Sequence, residues 1–71
     1  SVEVLMIKLP QYYQSSVSVR TLAKKIGLNV SLLVEDSAVN MSFQLIDLCI
    51  KKEIVENLVD RLTVDYPQIF I

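Results

Sequence analysis

Few side chains of this sequence belong to the types that carry out catalysis. The chain has one cysteine, Cys49, and no histidine. Pairs of a nucleophile with an imidazole base, imidazole metal sites and cysteine-rich zinc sites are therefore excluded. Apolar neighbours on both sides of Cys49 predict a buried, unreactive thiol. We expect no catalytic residue, no metal and no cofactor, and hence no enzyme.

The acidic residues do not form a convincing chemical pair either. Glu35 and Asp36 are adjacent, but two neighbouring carboxylates without further oxygen ligands make a poor calcium site, and we interpret them as part of a solvated turn. Glu53, Glu56 and Asp60 follow helical spacing and read as a charged helix face. Neither group predicts general acid-base catalysis.

A basic group with nearby aromatic residues offers a possible contact with RNA. Arg20, Lys24 and Lys25 follow Tyr12 and Tyr13, a combination that can bind phosphates and stack on bases. Seven basic and eight acidic side chains leave a net charge of −1, however, so no overall field attracts nucleic acid. We favour a solvated helix face, with tyrosines that cover the core.

Length and composition predict one small globular domain over residues 1–71. The chain has 71 residues, of which 52% are hydrophobic and 21% charged, and a core of this size gains from support outside the domain. No apolar run reaches about 18 residues, so we expect neither a membrane span nor a signal peptide. The single cysteine favours a reducing compartment, and we predict a cytoplasmic location.

The first half of the chain predicts a strand and then a helix. Apolar residues alternate along VEVLMIKLP until Pro10 ends the strand. A helix begins near Val17 to Val19, capped by Ser16 or Ser18, with an apolar stripe of Val19, Leu22, Ala23 and Ile26. Gly27 stands where a left-handed helix end is expected.

The second half predicts two strands, a helix and a short last strand. Alternation places one strand over 30–34 and another in MSFQLIDLCIK, joined by the turn EDSAVN. Helical spacing of apolar residues begins at Lys52, and Ile69 to Ile71 close the chain as a strand. In an alternative interpretation, residues 41–62 form one long helix, because Ile46, Ile50, Ile54, Leu58 and Leu62 also lie four apart.

The resulting order, β-α-β-β-α-β, predicts a ferredoxin-like α+β fold. In that plan a four-stranded antiparallel sheet carries both helices on one face. The other face stays open, and apolar residues there ordinarily find a partner. We place on that face Val2, Val4, Met6, Phe43 and Leu45.

Two families of regulatory domains share this plan and a piece of this sequence. The stretch TLAKKIGLNVSLL, after a strand ending in proline, resembles the NIL domain of methionine-importer ATPases, and Gly27, Asn29 and Val30 match an element of ACT domains. The resemblance implies a module that senses a small ligand such as an amino acid. It places the ligand where the first helix meets the second strand, at Gly27, Leu28, Asn29 and Val30.

The same stretch also resembles helix-turn-helix modules, including the N-terminal domain of bacterial translation initiation factor two. In SVRTLAKKIGLNVS, Ala23 precedes Gly27 by four residues, as that motif requires. The recognition helix would run from Val30 to Ser37 and turn Glu35 and Asp36 toward phosphates, which repels nucleic acid.

We therefore expect a non-enzymatic regulatory or interaction module that forms a homo-oligomer or docks on a neighbouring domain, with a possible small-molecule effector. Self-association would use the open sheet face or a sheet edge. The alternatives are a helix-turn-helix module of a translation or transcription protein, and a structural subunit of a larger assembly.

Overall fold

The computed structural model describes all 71 residues, and all its regular elements are helical. Helix α1 spans Val2–Tyr12, α2 spans Ser16–Lys25, α3 spans Ala38–Lys51 and α4 spans Val55–Asp65, with a 3-10 turn at Val30–Leu32. No strand forms. The prediction of a ferredoxin-like α+β fold is therefore wrong, and so is the assignment to the NIL or ACT plan on which it rested.

Helix α1 occupies the segment for which we predicted a strand. Leu5 and Leu9, four residues apart, are buried on one side of the helix. Because nearly every residue in this stretch is apolar, alternation and helical spacing fit it equally well, and only packing decides between them. Pro10 lies inside the helix, which still continues for a turn through the hydrogen bond from the Tyr13 N–H to the Leu9 carbonyl, 2.9 Å.

Helix α2 confirms the first predicted helix. Its buried residues are Val19, Leu22 and Ala23. The N-cap is Ser15 rather than Ser16 or Ser18: its hydroxyl accepts from the Ser18 N–H at 3.0 Å, and the Ser18 hydroxyl accepts from the Ser15 N–H at 3.2 Å. At the other end Gly27 has φ +84°, the left-handed end that the sequence predicts.

The link between α2 and α3 contains no strand, although residues 30–34 alternate. Leu33 is the buried side chain here, whereas Leu32 and Val34 are exposed. The backbone of Val34 pairs with a side chain instead of another strand: its N–H donates to Gln44 Oε1 at 2.8 Å, and Gln44 Nε2 donates to its carbonyl at 3.0 Å. The side chain of Gln44 thus makes the two backbone hydrogen bonds that a neighbouring strand would have made.

Helix α3 is the centre of the molecule and contacts the other three helices. Met41, Leu45 and Cys49 are fully buried along it, and the hydroxyl of buried Ser42 donates to the Ala38 carbonyl at 2.7 Å. The strand predicted for MSFQLIDLCIK is therefore wrong. The alternative of one helix over 41–62 is correct only as far as Lys51, because the chain turns before α4 begins.

Helix α4 confirms the second predicted helix, with Leu58 and Leu62 fully buried. The prediction of a strand at Ile69 to Ile71 is wrong, because residues 67–70 form turns. Ile69 is nonetheless fully buried, while Phe70 and Ile71 remain exposed. The core thus collects side chains from every helix and from the C-terminal tail.

Candidate functional site

The predicted ligand residues 27–30 lie at the end of α2 and in the 3-10 turn. Gly27 ends the helix, Leu28 is buried in the core and Val30 is half-buried. Asn29 caps the turn, its Oδ1 accepting from the Ser31 N–H at 3.0 Å and from the Ser31 hydroxyl at 2.8 Å. Each residue has a local structural role, and ligand binding by this set stays a prediction.

Gly27 borders a shallow polar cleft of about 460 Å³ between the end of α2 and α4. Lys25 and Arg61 reach toward Asp65 from its two sides, with N···O distances of 3.7 and 3.8 Å. Both cations are thereby partly neutralised. The cleft combines these charges with the side chains of Asn57 and Asp60.

Asp65 is also the partner of Tyr13, and this contact joins the two ends of the chain. The Tyr13 hydroxyl donates to Asp65 Oδ2 at 2.9 Å. Burial, followed by the hydrogen bond to the carboxylate, raises the pKa of Tyr13 well above its ordinary value. Tyr66 adds ring contacts to Tyr13 and Tyr12, at centroid distances of 5.4 and 4.9 Å. These contacts hold the ends of α1, α2 and α4 together.

One ion pair joins the basic group to the acidic turn. Arg20 forms an ion pair with Glu35, and this contact lowers the pKa of Glu35. Asp36 accepts from the Ser37 N–H at 2.7 Å and from the Asn40 side chain at 3.2 Å, which lowers its pKa. No group of three potential metal-ligating side chains occurs in the chain.

Cys49 lies in the core, as the sequence indicated. Its side chain is fully buried on α3, and burial raises the pKa of the thiol from 9.0 to about 11. Since the thiolate is the reactive form, Cys49 is protonated and shielded near neutral pH.

The most unusual surface of the molecule surrounds α1. Val2, Val4 and Met6 are each exposed by 38–39%, and Ile7 by 60%. Val4, Met6 and Ile7 lie away from the side of Leu5 and Leu9, and Val2 stands in the first turn of the helix. Neighbouring exposed side chains extend the apolar area, and we call the whole set the α1 surface: Val2, Val4, Met6, Ile7, Phe43, Ile50 and Phe70.

Two grooves flank α1 within this surface. One, of about 590 Å³, lies between α1 and α4 and is lined by Val4, Val55, Val59 and Phe70 among others. The other, of about 230 Å³, lies between α1 and α3 and includes Phe43 and Ile50. Both are predominantly apolar.

The sequence anticipated part of this surface. Val2, Val4, Met6 and Phe43 were expected on an uncovered face and are exposed, although on helices rather than on a sheet; Leu45 is fully buried. Sequence reasoning missed Ile7, which is absent from the residues expected on the open face, and Phe70, which it assigns to a short last strand. The signal that could have found Ile7 is the helical spacing of Leu5 and Leu9, which turns Ile7 outward.

The expected helix-turn-helix surface does not form. Only the 3-10 turn and an extended link occupy 30–37, so the recognition helix required by that resemblance is missing.

Comparison with known proteins identifies no relative of this chain. No family model, no curated protein and no solved structure matches it. None of the helices has the length and apolar content that crossing a membrane requires.

Proposed function

We propose that this chain is a non-enzymatic protein-interaction module that associates with a second copy of itself through the α1 surface. The observation that carries the proposal is the composition of α1. Of its eleven residues only Glu3, Lys8 and Gln11 are charged or carry an amide. A helix with so few polar residues ordinarily buries more of its apolar surface than a single stripe. In one copy of this chain only the Leu5 and Leu9 side is covered.

The size of the exposed apolar area supports an interaction rather than chance exposure. Scattered apolar residues are normal on protein surfaces, whereas contiguous patches mark sites of association. The α1 surface is contiguous, because the two grooves join α1 to Phe43 and Ile50 on one side and to Phe70 on the other. Phenylalanine is among the residues that are enriched in protein–protein interfaces relative to the rest of the surface.

Two further properties favour a second copy as the partner. The net charge of −1 means that two copies do not repel each other at long range. A typical interface buries about 800 Å² on each partner, which would be roughly a fifth of the 4276 Å² surface of this domain. Self-association would also bury further apolar surface, which stabilises a domain whose own core is small.

Sedimentation velocity over a wide range of protein concentrations tests the proposal. We expect a reversible monomer–dimer equilibrium for the native sequence. Ile7→Glu places a charge in the middle of the α1 surface and should weaken association at least about tenfold, since burying an unpaired carboxylate is costly. The substitution is on an outward-facing residue, so circular dichroism should show an unchanged helix content.

The matched control is Val64→Glu. Val64 is a β-branched residue with 65% exposure on α4, against 60% for Ile7, but it lies outside the α1 surface. This variant should associate like the native chain. A native chain that remains monomeric at its solubility limit would overturn the proposal, and so would equal weakening by the two substitutions.

A further inference from the structure

The outward side of α1 carries residues with the spacing of a single heptad. Val4, Ile7 and Gln11 follow one another at intervals of three and four, directly opposite the buried Leu5 and Leu9. Glu3 flanks this stripe on one side and Lys8 on the other. These five residues are the outer face of α1.

The pattern is that of a short coiled-coil segment. With Val4 at position a of a heptad, Ile7 falls at d and Gln11 at the next a, while Glu3 takes g and Lys8 takes e. Val4 and Ile7 supply apolar side chains at a and d, and the polar Gln11 at the second a position fixes the register. The outer face of α1 thus has the apolar a and d residues and the flanking e and g charges of a coiled-coil seam.

The two charges decide the direction of the second helix. In a parallel pair, position g of one helix faces position e of the other about five residues later, so Glu3 would meet Lys8 of the second copy on both sides of the seam. In an antiparallel pair, e faces e and g faces g, which would place Glu3 against Glu3 and Lys8 against Lys8. Charge complementarity therefore favours the parallel arrangement.

Neither charge has a partner within its own chain. The four ion pairs of the molecule involve Arg20, Lys25, Lys51 and Arg61 with Glu35, Asp65 and Asp47. Glu3 and Lys8, the charged residues of α1, belong to none of them. Both remain available to a second copy.

We infer that two copies of this chain associate with α1 against α1 in the same direction, Val4 and Ile7 in the seam and Glu3 of each copy paired with Lys8 of the other. This inference rests on the self-association proposed above and adds its geometry. The two-fold axis runs along the helices, so both halves of the contact are identical.

Charge exchange tests the pairing. Glu3→Lys and Lys8→Glu should each weaken self-association on the order of tenfold at low salt, because two attractive pairs become two repulsive ones. An equimolar mixture of the two variants should form a heterodimer with about native affinity, since each introduced charge then faces its opposite. High salt should reduce these differences.

Disulfide trapping tests the direction independently. Val4→Cys should cross-link to itself under mild oxidation, because position a faces position a in a parallel pair. Val64→Cys, outside the seam, is the matched control and should not cross-link above background. Native Cys49 does not interfere, because its thiol is fully buried.

The possible results separate the inference from the proposed function. If the native chain dimerises but the mixture of charge variants gains no affinity over either variant alone, the pairing is wrong while self-association stands. If Val4→Cys cross-links only to Ile7→Cys, the helices run antiparallel and the inference is again wrong. If the native chain is monomeric, both the inference and the proposed function are wrong.

Discussion

At the scale of single residues, the ionisable groups inside this protein serve its structure. The Tyr13 hydroxyl and the Asp65 carboxylate are 52 residues apart in sequence and 2.9 Å apart in space. Lys25, at the end of α2, and Arg61, one turn before Asp65 on α4, approach the same carboxylate. Asp65 thus links the ends of α1, α2 and α4, and the positive charges of Lys25 and Arg61 compensate its negative charge.

The Tyr13 contact makes stability depend on pH in the alkaline range. The pKa values of Tyr13 and Cys49 are raised in the folded state from ordinary values of 10.0 and 9.0. Their contribution is fully present below pH 9, and it is lost as pH rises, because the unfolded chain releases these protons first. We expect the midpoint of urea unfolding to fall progressively as the pH rises above about 9.

Tyr13→Phe identifies the share of this effect that belongs to Tyr13. At neutral pH the variant should lose about 1 kcal/mol, the usual worth of one hydrogen bond. Above pH 9 its stability should fall less steeply than that of the native chain, because the tyrosine no longer titrates. Parallel curves of stability against pH for the two chains would contradict the assignment.

Cys49 should be unreactive in the folded protein. Its pKa of about 11 lowers the thiolate fraction near pH 8 by about a hundredfold relative to a free thiol, and the packed core blocks access. Ellman's reagent should therefore react slowly with the native protein and rapidly in denaturant. Val64→Cys, with an exposed thiol on α4, should react at once without denaturant; rapid reaction of native Cys49 would show that the core opens there.

At the scale of elements, α2 and α3 end with the same pattern of backbone hydrogen bonds, although the residue in the left-handed position differs. After α2, the Gly27 and Leu28 N–H groups donate to the Lys24 and Ala23 carbonyls at 3.0 and 2.9 Å. After α3, the Glu53 and Ile54 N–H groups donate to the Ile50 and Cys49 carbonyls at 3.1 and 2.9 Å. Both are Schellman ends, which require one residue in the left-handed region.

The residues in that left-handed position are Gly27, with φ +84°, and Glu53, with φ +58°. Glycine adopts it without cost, whereas other residues lose roughly 1–2 kcal/mol. Nothing lies within 4 Å of a Cβ added to Gly27, so Gly27→Ala should cost about 1 kcal/mol through the backbone alone.

The converse substitution, from Glu53 to glycine, should stabilise the fold. Glu53→Gly removes the strain and should raise the free energy of unfolding by up to about 1 kcal/mol, less the entropy that glycine adds to the unfolded chain. Glu53→Ala is the control, because it removes the charge but keeps the Cβ, and it should be close to neutral. Thermal unfolding measures all three variants, and equal effects of glycine and alanine at position 53 would contradict the backbone explanation.

At the scale of the whole molecule, the core depends on a tail that belongs to no helix. Ile69 is fully buried beyond the end of α4. A domain of 71 residues has a small margin of stability, so the loss of one large core side chain is a large fraction of the total. The tail is therefore an essential part of the fold.

Replacement of Ile69 by alanine tests this dependence. We expect Ile69→Ala to lower the free energy of unfolding by about 2–5 kcal/mol through lost burial and the cavity it leaves. Ile71→Ala is the matched control, since Ile71 is 99% exposed, and it should change stability by less than about 0.5 kcal/mol. Urea titration compares the two, and equal stabilities would show that the tail is dispensable.

The sequence alone determined the elements whose apolar residues are separated by polar ones. In α2 the stripe of Val19, Leu22 and Ala23 alternates with serine and basic residues, and a glycine follows, so helix and helix end were both predictable. The same holds for α4, and for the burial of Cys49 among apolar neighbours. The absence of histidine likewise limited the chemistry from the outset.

Only the tertiary structure decided between helix and strand in α1 and α3. Both stretches are so rich in apolar residues that a period of two and a period of 3.6 fit them equally. The choice depends on where the backbone hydrogen bonds are satisfied and on what the side chains pack against. Gln44 pairs with the backbone of Val34, ten residues earlier, and α3 is buried by three other helices. Those long-range contacts, which no local pattern contains, also determined which side of α1 remains uncovered.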